Sequence, residues 1–160
     1  MALSVAELSA RRGQVLGISR WFAVTQDMID AHADVTEDHQ YIHVDPVRAA
    51  DTPFGGTIAH GFLTLSMLSA MAYDAQPDIE GAVMGVNYGL NHLRFVSPVP
   101  SGARIRAHFT LKEVEERKAG EVTLTWDVSM EIEGQDKPAL VAEWLQRRYL
   151  TLDNQEKTKD

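Results

Sequence analysis

Phe62 to Tyr73, FLTLSMLSAMAY, carries no charged residue and is apolar almost all round. A helix without a polar face belongs inside a protein. The run is too short to cross a bilayer, which takes about 20 apolar residues, so the rest of the chain must cover it. The second half supplies that cover. RIRAHFTLK alternates, with Ile105, Ala107, Phe109 and Leu111 on one face and Arg104, Arg106, His108 and Thr110 on the other. VTLTWDVSMEIE alternates as well, setting Val122, Leu124, Trp126, Val128, Met130 and Ile132 against Thr123, Thr125, Asp127, Ser129, Glu131 and Glu133. Period two marks half-buried strands. AVMGVNYGLNHLRFV and ALVAEWLQRRYLTL are less regular but strand-like, PVPSGA is a turn, and EGQDKP joins two strands as a hairpin. The expected class is α+β, with a long antiparallel sheet whose apolar face is covered by the buried helix.

The first half is punctuated by helix signals. SVAELSARRG reads as a short helix stopped by Gly13. Thr25 can cap a helix over QDMIDAHADV, with Met28, Ile29, His32 and Val35 along one face. Asp45 can cap PVRAA, with Pro46 at the first helical position. Between them, DHQYIHV is too polar and irregular for a core element and is expected to be a loop.

That loop holds the densest chemistry in the chain: Asp38, His39 and His43, with Asp45 two residues on. Asp38 and His43 are close enough in sequence for a turn to bring both to one water. A carboxylate base and a histidine that orients the water and shuttles a proton are what adding water to a conjugated thioester requires. A site for negative charge on the thioester oxygen is required too. TPFGGTIAHGF follows, and the backbone N–H groups near His60 and Gly61, at the start of the apolar helix, offer one. His39 and His43 are four apart, a spacing that aims two imidazoles together only on a helix. No metal is therefore expected. No Gly-x-Ser-x-Gly elbow is present for a serine hydrolase.

DHQYIHVDPVRA resembles the signature of the MaoC-like, (R)-specific enoyl-CoA hydratase family, Asp-x-Asn-Pro-(Leu/Ile)-His followed by five residues and a small one. Asp38, Ile42, His43 and Ala49 fit that spacing, whereas Gln40 replaces the family's Asn and Tyr41 its Pro. With FGGTIAHGF and NYGLNHLRF, the chain looks like the nodulation-protein-N-like branch of that family. The resemblance runs from about Thr25 to Tyr149. It implies a hotdog fold in one domain over 1–152, ahead of a polar tail at 153–160, and a homodimer. It implies catalysis by Asp38 and His43, with oxyanion and substrate contacts from Gln40, Ile58, Ala59, His60, Gly61, Asn87, Tyr88 and Arg94. Gln40, keeping the amide of the family's Asn, is expected to tie down the catalytic loop.

The implied reaction adds water to trans-2-enoyl-CoA to give (R)-3-hydroxyacyl-CoA, in fatty acid metabolism. Coenzyme A is then part of the substrate and no separate cofactor is needed. A hotdog acyl-CoA thioesterase and a non-catalytic acyl-binding accessory protein are the alternatives. The net charge of -8 argues against nucleic acid as a partner. No apolar run is long enough for a membrane span, and the N-terminal MALSVAELSARRGQ lacks a signal peptide's apolar core. The absence of cysteine fits a reducing cytoplasm. Arg104 and Arg106 share a strand face; a solvated surface is favoured there over a contact to the nucleotide of CoA.

Overall fold

The alternating segments form one antiparallel sheet in the computed structural model, which describes residues 2–151. The expected tail at 153–160 lies outside the described residues. The long strands are β3 (Ala82–Phe95), β4 (Arg104–Lys118), β5 (Glu121–Ile132) and β6 (Leu140–Leu150). Two short strands join them, β1 (Val15–Ile18) and β2 (Phe22–Ala23), which the sequence did not announce. Strand order is β1-β4-β5-β6-β3, with β2 also on β4. β3 is thus an edge strand, paired only with β6.

The period-two reading locates the core. Ile105, Ala107, Phe109 and Leu111 are fully buried, and the whole apolar row of β5 from Val122 to Ile132 is buried with them. The opposite row of β5 is not uniformly open. Thr123 and Thr125 are buried, and so is Glu121, which takes ion pairs from Lys118 at 3.1 Å and Arg147 at 3.3 Å. The expected solvated face survives further along, where Arg106 meets Glu131 at 2.6 Å and Arg104 meets Glu133.

The apolar run forms α5 (Gly61–Ser66) and α6 (Leu68–Ala75), joined at Met67, whose backbone stays in the right-handed helical region. Thr64 and Ser66 donate their hydroxyls back to the carbonyls of Gly61 and Phe62, at 2.7 and 2.8 Å. Such back-bonding bends helices and accounts for the irregular turn. Leu63, Met67, Leu68 and Met71 pack into one cluster with Phe109, Leu111, Trp126 and Trp144. The expectation of burial all round is corrected here. Phe62 is 67% and Tyr73 88% exposed, because the sheet curves past one side of the helix only. Where β1 crosses the end of α6, a Cβ on Gly17 would stand 2.1 Å from the Ala75 carbonyl oxygen, so the close approach needs glycine there.

The flanking helices follow their caps. α1 (Val5–Ser9) is closed by a Ser4–Glu7 capping box, and α2 (Gln26–Thr36) starts under Thr25. Asp45 caps α4 (Pro46–Ala50) by accepting from the N–H groups of Val47 and Arg48. On α2 the buried residues are Ile29 and Ala33, while Val35 faces outward at 84% exposure. The expected loop contains a helical turn, α3 (Tyr41–Val44). His43 is buried within it while Asp38, His39 and Gln40 before it are exposed, a pattern too short for periodicity to detect.

Candidate active site

α3 carries His43 into the protein by docking on the segment 57–60. The N–H of Ile58 donates to the Ile42 carbonyl at 3.0 Å, and His43 Nδ1 donates to the Ile58 carbonyl at 2.7 Å. The same segment is held from its other side, Ala59 N–H donating to the Val99 carbonyl at 2.8 Å and Ser101 N–H to the Thr57 carbonyl at 2.9 Å. Ile58 and Ala59 therefore act through their backbone. They fix the two histidines and make no use of side-chain chemistry.

A carbonyl only accepts, so His43 Nδ1 must carry the proton and Nε2 keeps a lone pair. His60 is fixed in the opposite sense: its Nε2 donates to the Asp38 carbonyl at 2.9 Å, and its buried Nδ1 has no partner among the described residues. The rings of His43 and His60 stack at 3.8 Å and 25°, and His32 of α2 lies 4.7 Å from His60. Burial pushes the His43 proton affinity below the usual histidine range, and the nearby His60 pushes the same way. His32 is lowered by burial and by His60 as well. Burial and the neighbouring imidazole thus favour the neutral form of His43 and of His32.

Ligand atoms of Asp38, His43 and His60 lie within 4.8 Å of one another. One water hydrogen-bonded at each end spans up to about 5.6 Å, so a single water can touch the Asp38 carboxylate and an imidazole. The same trio is the candidate metal cluster. His39 stands apart, exposed and paired with Asp34 at 2.9 Å.

Gly61 opens α5 directly after His60. The N–H groups of Leu63 and Thr64 both turn to the His60 carbonyl, leaving those of Gly61 and Phe62 without an acceptor among the described residues. A Cβ at Gly61 would lie 2.9 Å from the Phe95 ring, so glycine lets β3 close against the helix start. The motif residues on β3 divide. Asn87 donates to Ser69 Oγ at 3.3 Å beside the helix. Tyr88 lies under the Arg147 guanidinium at 3.8 Å. Arg94 precedes Phe95, which faces the helix, so it points to the other face of the strand. Its guanidinium bonds its neighbour's carbonyl, Leu93, at 2.8 Å. The structure thus gathers Asp38, His43, Ile58, Ala59, His60 and Gly61 and leaves Tyr88 and Arg94 outside that cluster.

The loop is tied by Gln26. Its Nε2 donates to the His43 carbonyl and to Asp30, both at 2.8 Å, and its Oε1 accepts from the Thr57 hydroxyl at 2.6 Å. Gln40 is exposed and its side chain makes no cap; its backbone alone takes part, the N–H donating to Asp38 at 3.4 Å and the carbonyl accepting from His43 N–H at 2.9 Å. Gln26, Thr57 and His32 escape sequence reading, because each acts on a group far along the chain.

A family model for the MaoC like domain matches residues 7–131. The chain belongs to the MaoC-like family. Among its relatives, nodulation protein N of Rhizobium leguminosarum bv. viciae is 53% identical over 144 residues, 89% of each chain. The 3-hydroxyacyl-thioester dehydratase Z of Mycobacterium tuberculosis (strain ATCC 25618 / H37Rv) is 47% identical, over 90% of this chain and 95% of the relative. The solved (R)-hydratase from A. caviae, involved in PHA biosynthesis, superposes with a TM-score of 0.66 at 26% identity, over 83% of this chain and 95% of that one. The MaoC-like chain has the hotdog fold of these neighbours. The geometry of the loop that carries Asp38 and His43 leads to two predictions. Gln26→Ala removes two part-buried hydrogen bonds and an exposed one, so thermal melts should show a loss of about 1–3 kcal/mol and turnover should fall, whereas Gln40→Ala should melt like the parent. His43 must be neutral for Nε2 to accept a proton. The acid limb of a kcat/KM profile should therefore fall below the ordinary histidine value of about 6.5. A limb at or above that value would contradict the buried, neutral tautomer.

Proposed function

We propose that the protein is an (R)-specific hydratase that adds water across the double bond of trans-2-enoyl thioesters and removes it in reverse. What carries the reading is one juxtaposition: the Asp38 carboxylate and a tautomer-fixed His43 within one water's span, beside free N–H groups at Gly61. The thioester oxygen accepts from Gly61 N–H, which draws electron density from the β-carbon. A water held by Asp38 and His43 forms the new C–O bond at that carbon and gives up one proton to the pair. The pair returns a proton to the α-carbon, so no net proton is consumed. A catalyst lowers one barrier for both directions, which reconciles relatives named as dehydratases with relatives named as hydratases. The chemistry calls for no cofactor beyond the CoA of the substrate. Among the described residues no helix is long and apolar enough to cross a membrane. A cytoplasmic enzyme of fatty acid metabolism is the setting that fits this substrate.

Loss of the conjugated enoyl-thioester absorbance on mixing with enoyl-CoA tests the activity. Asp38→Asn should slow it by about 10²–10⁴-fold with the fold intact. Release of free thiol from a saturated acyl-CoA, with no loss of enoyl absorbance, would instead establish a thioesterase.

The working unit in this reading is a homodimer built on β3. This edge strand is 14 residues long and exposed over nearly all of it. Val83, Met84, Val86, Tyr88, Leu90 and Phe95 stand open on it, next to Phe62 and Tyr73 of the helix. Long apolar edges are templates for pairing and are seldom left bare. Sedimentation should give a dimer, and Val86→Lys with Leu90→Lys should shift it towards monomer. A parent protein that sediments as a monomer at all concentrations would remove this part of the reading.

A further inference from the structure

The side of the helix that the sheet leaves open borders β3, and a groove runs between them. It lies beyond Gly61, past the point where the Phe62 and Phe95 rings meet edge to face at 5.8 Å. A cavity of about 280 Å³ opens there, with Leu65, Leu68, Leu90 and Trp144 as apolar walls. Ser69, Asn87 and Trp144 also line the next cavity, of about 80 Å³. Ala72, Tyr73, Gly85 and Arg148 carry that one into a third, of about 230 Å³. The helical segment from Gly61 to Gln76 that flanks these cavities spans about 22 Å at 1.5 Å per residue.

Its far end changes character. Arg148 is half-buried, and its guanidinium fills the space that a side chain at position 85 would occupy: a Cβ on Gly85 would stand 1.9 Å from Nη1. Nη2 donates to the amide oxygens of Gln146 at 3.1 Å and Gln76 at 3.3 Å. Both acceptors are neutral. Arg104, Arg106 and Arg147 each hold a carboxylate, whereas Arg148 forms no ion pair among the described residues, Asp78 on the wall of the third cavity included. A second donor stands unused beside it. Gln76 turns its oxygen to Arg148, which leaves its buried Nε2 without an acceptor. A half-buried cation and a buried amide N–H₂ with nothing to receive them form a site short of an anion. Burial disfavours the charge on Arg148, so a partner anion there would be held strongly.

We propose that the groove takes a long acyl chain whose far end carries a carboxylate, received by Arg148 and Gln76, so that the preferred substrates are thioesters of α,ω-dicarboxylic acids. The inference rests on the acyl-thioester reading of the site. The apolar middle admits the methylene chain, and only its terminus meets the two donors.

The test compares trans-2-hexadecenoyl-CoA with its ω-carboxy counterpart of equal length. The parent protein should favour the carboxylate in kcat/KM by about tenfold to a hundredfold, the range of a hydrogen bond to a charged group. Arg148→Met should erase that ratio and Arg148→Lys should retain part of it. Calorimetric binding of saturated hexadecanedioyl-CoA, which cannot be hydrated, reads the same contact without turnover. It also decides the matter from the parent and the lysine variant should the methionine variant not fold. Equal kcat/KM for the two chains, with equal calorimetric affinities for the dioyl and monoacyl forms, would overturn the proposal and leave the hydratase reading intact. Tighter binding of the dioyl form through Arg148, with neither enoyl thioester turned over, would sustain the proposal and remove the hydratase reading.

Discussion

The inner face of the central helix is buried in the concave side of the sheet, and the rest of the molecule is arranged around that contact. Leu68 and Met71 are essentially inaccessible, and each such side chain contributes about 1.5–3 kcal/mol by leaving water. The contact fixes where the helix begins. Gly61 is held against Phe95 of β3, and the free N–H groups beside it acquire a defined direction. The same contact leaves the outer helix face unpacked, which opens the groove along β3. One burial event therefore places both the charge-accepting end of the site and the channel that leads from it.

The site's acid-base chemistry is set by backbone carbonyls. Ile58 accepts from His43 and Asp38 accepts from His60, and each bond dictates which ring nitrogen keeps its lone pair. His60 stacks on His43 and lies beside His32, and its nearness adds to burial in lowering the proton affinity of both. A buried His43 of lowered proton affinity thus stands beside an exposed Asp38 carboxylate. Gln26 holds the turn that carries His43, so the geometry of the pair depends on a residue of α2.

The same physics leaves much apolar surface unsatisfied. A strand exposed along its length is out of place in an isolated chain, and the proposed pairing of β3 covers it. Arg148 is the polar analogue of that mismatch, a cation installed by a glycine opposite it and given only neutral partners. Sites of this kind stand out because the remainder of the structure obeys the rules that they break.

Much of this was legible in the sequence. Strict alternation in β4 and β5 gave the apolar core row directly, since period two sets those residues on one face, though not that Glu121, Thr123 and Thr125 opposite would be buried as well. Thr25 and Asp45 marked helix starts through local hydrogen bonds that need nothing beyond the neighbouring turn. The Asp38–His43 spacing and the glycine before the apolar run pointed to the residues that the structure gathers around His60 for the same reason, as short-range features of the chain. What the tertiary structure decided lies at long range. Whether the helix is covered on one side or all round depends on how far the sheet curves. Gln26 reaching His43, His60 stacking on it, and Arg148 standing over Gly85 each join segments that no local pattern connects. Periodicity and capping are properties of neighbours along the chain, whereas a tautomer, a loop tie and an unpaired charge are properties of neighbours in space.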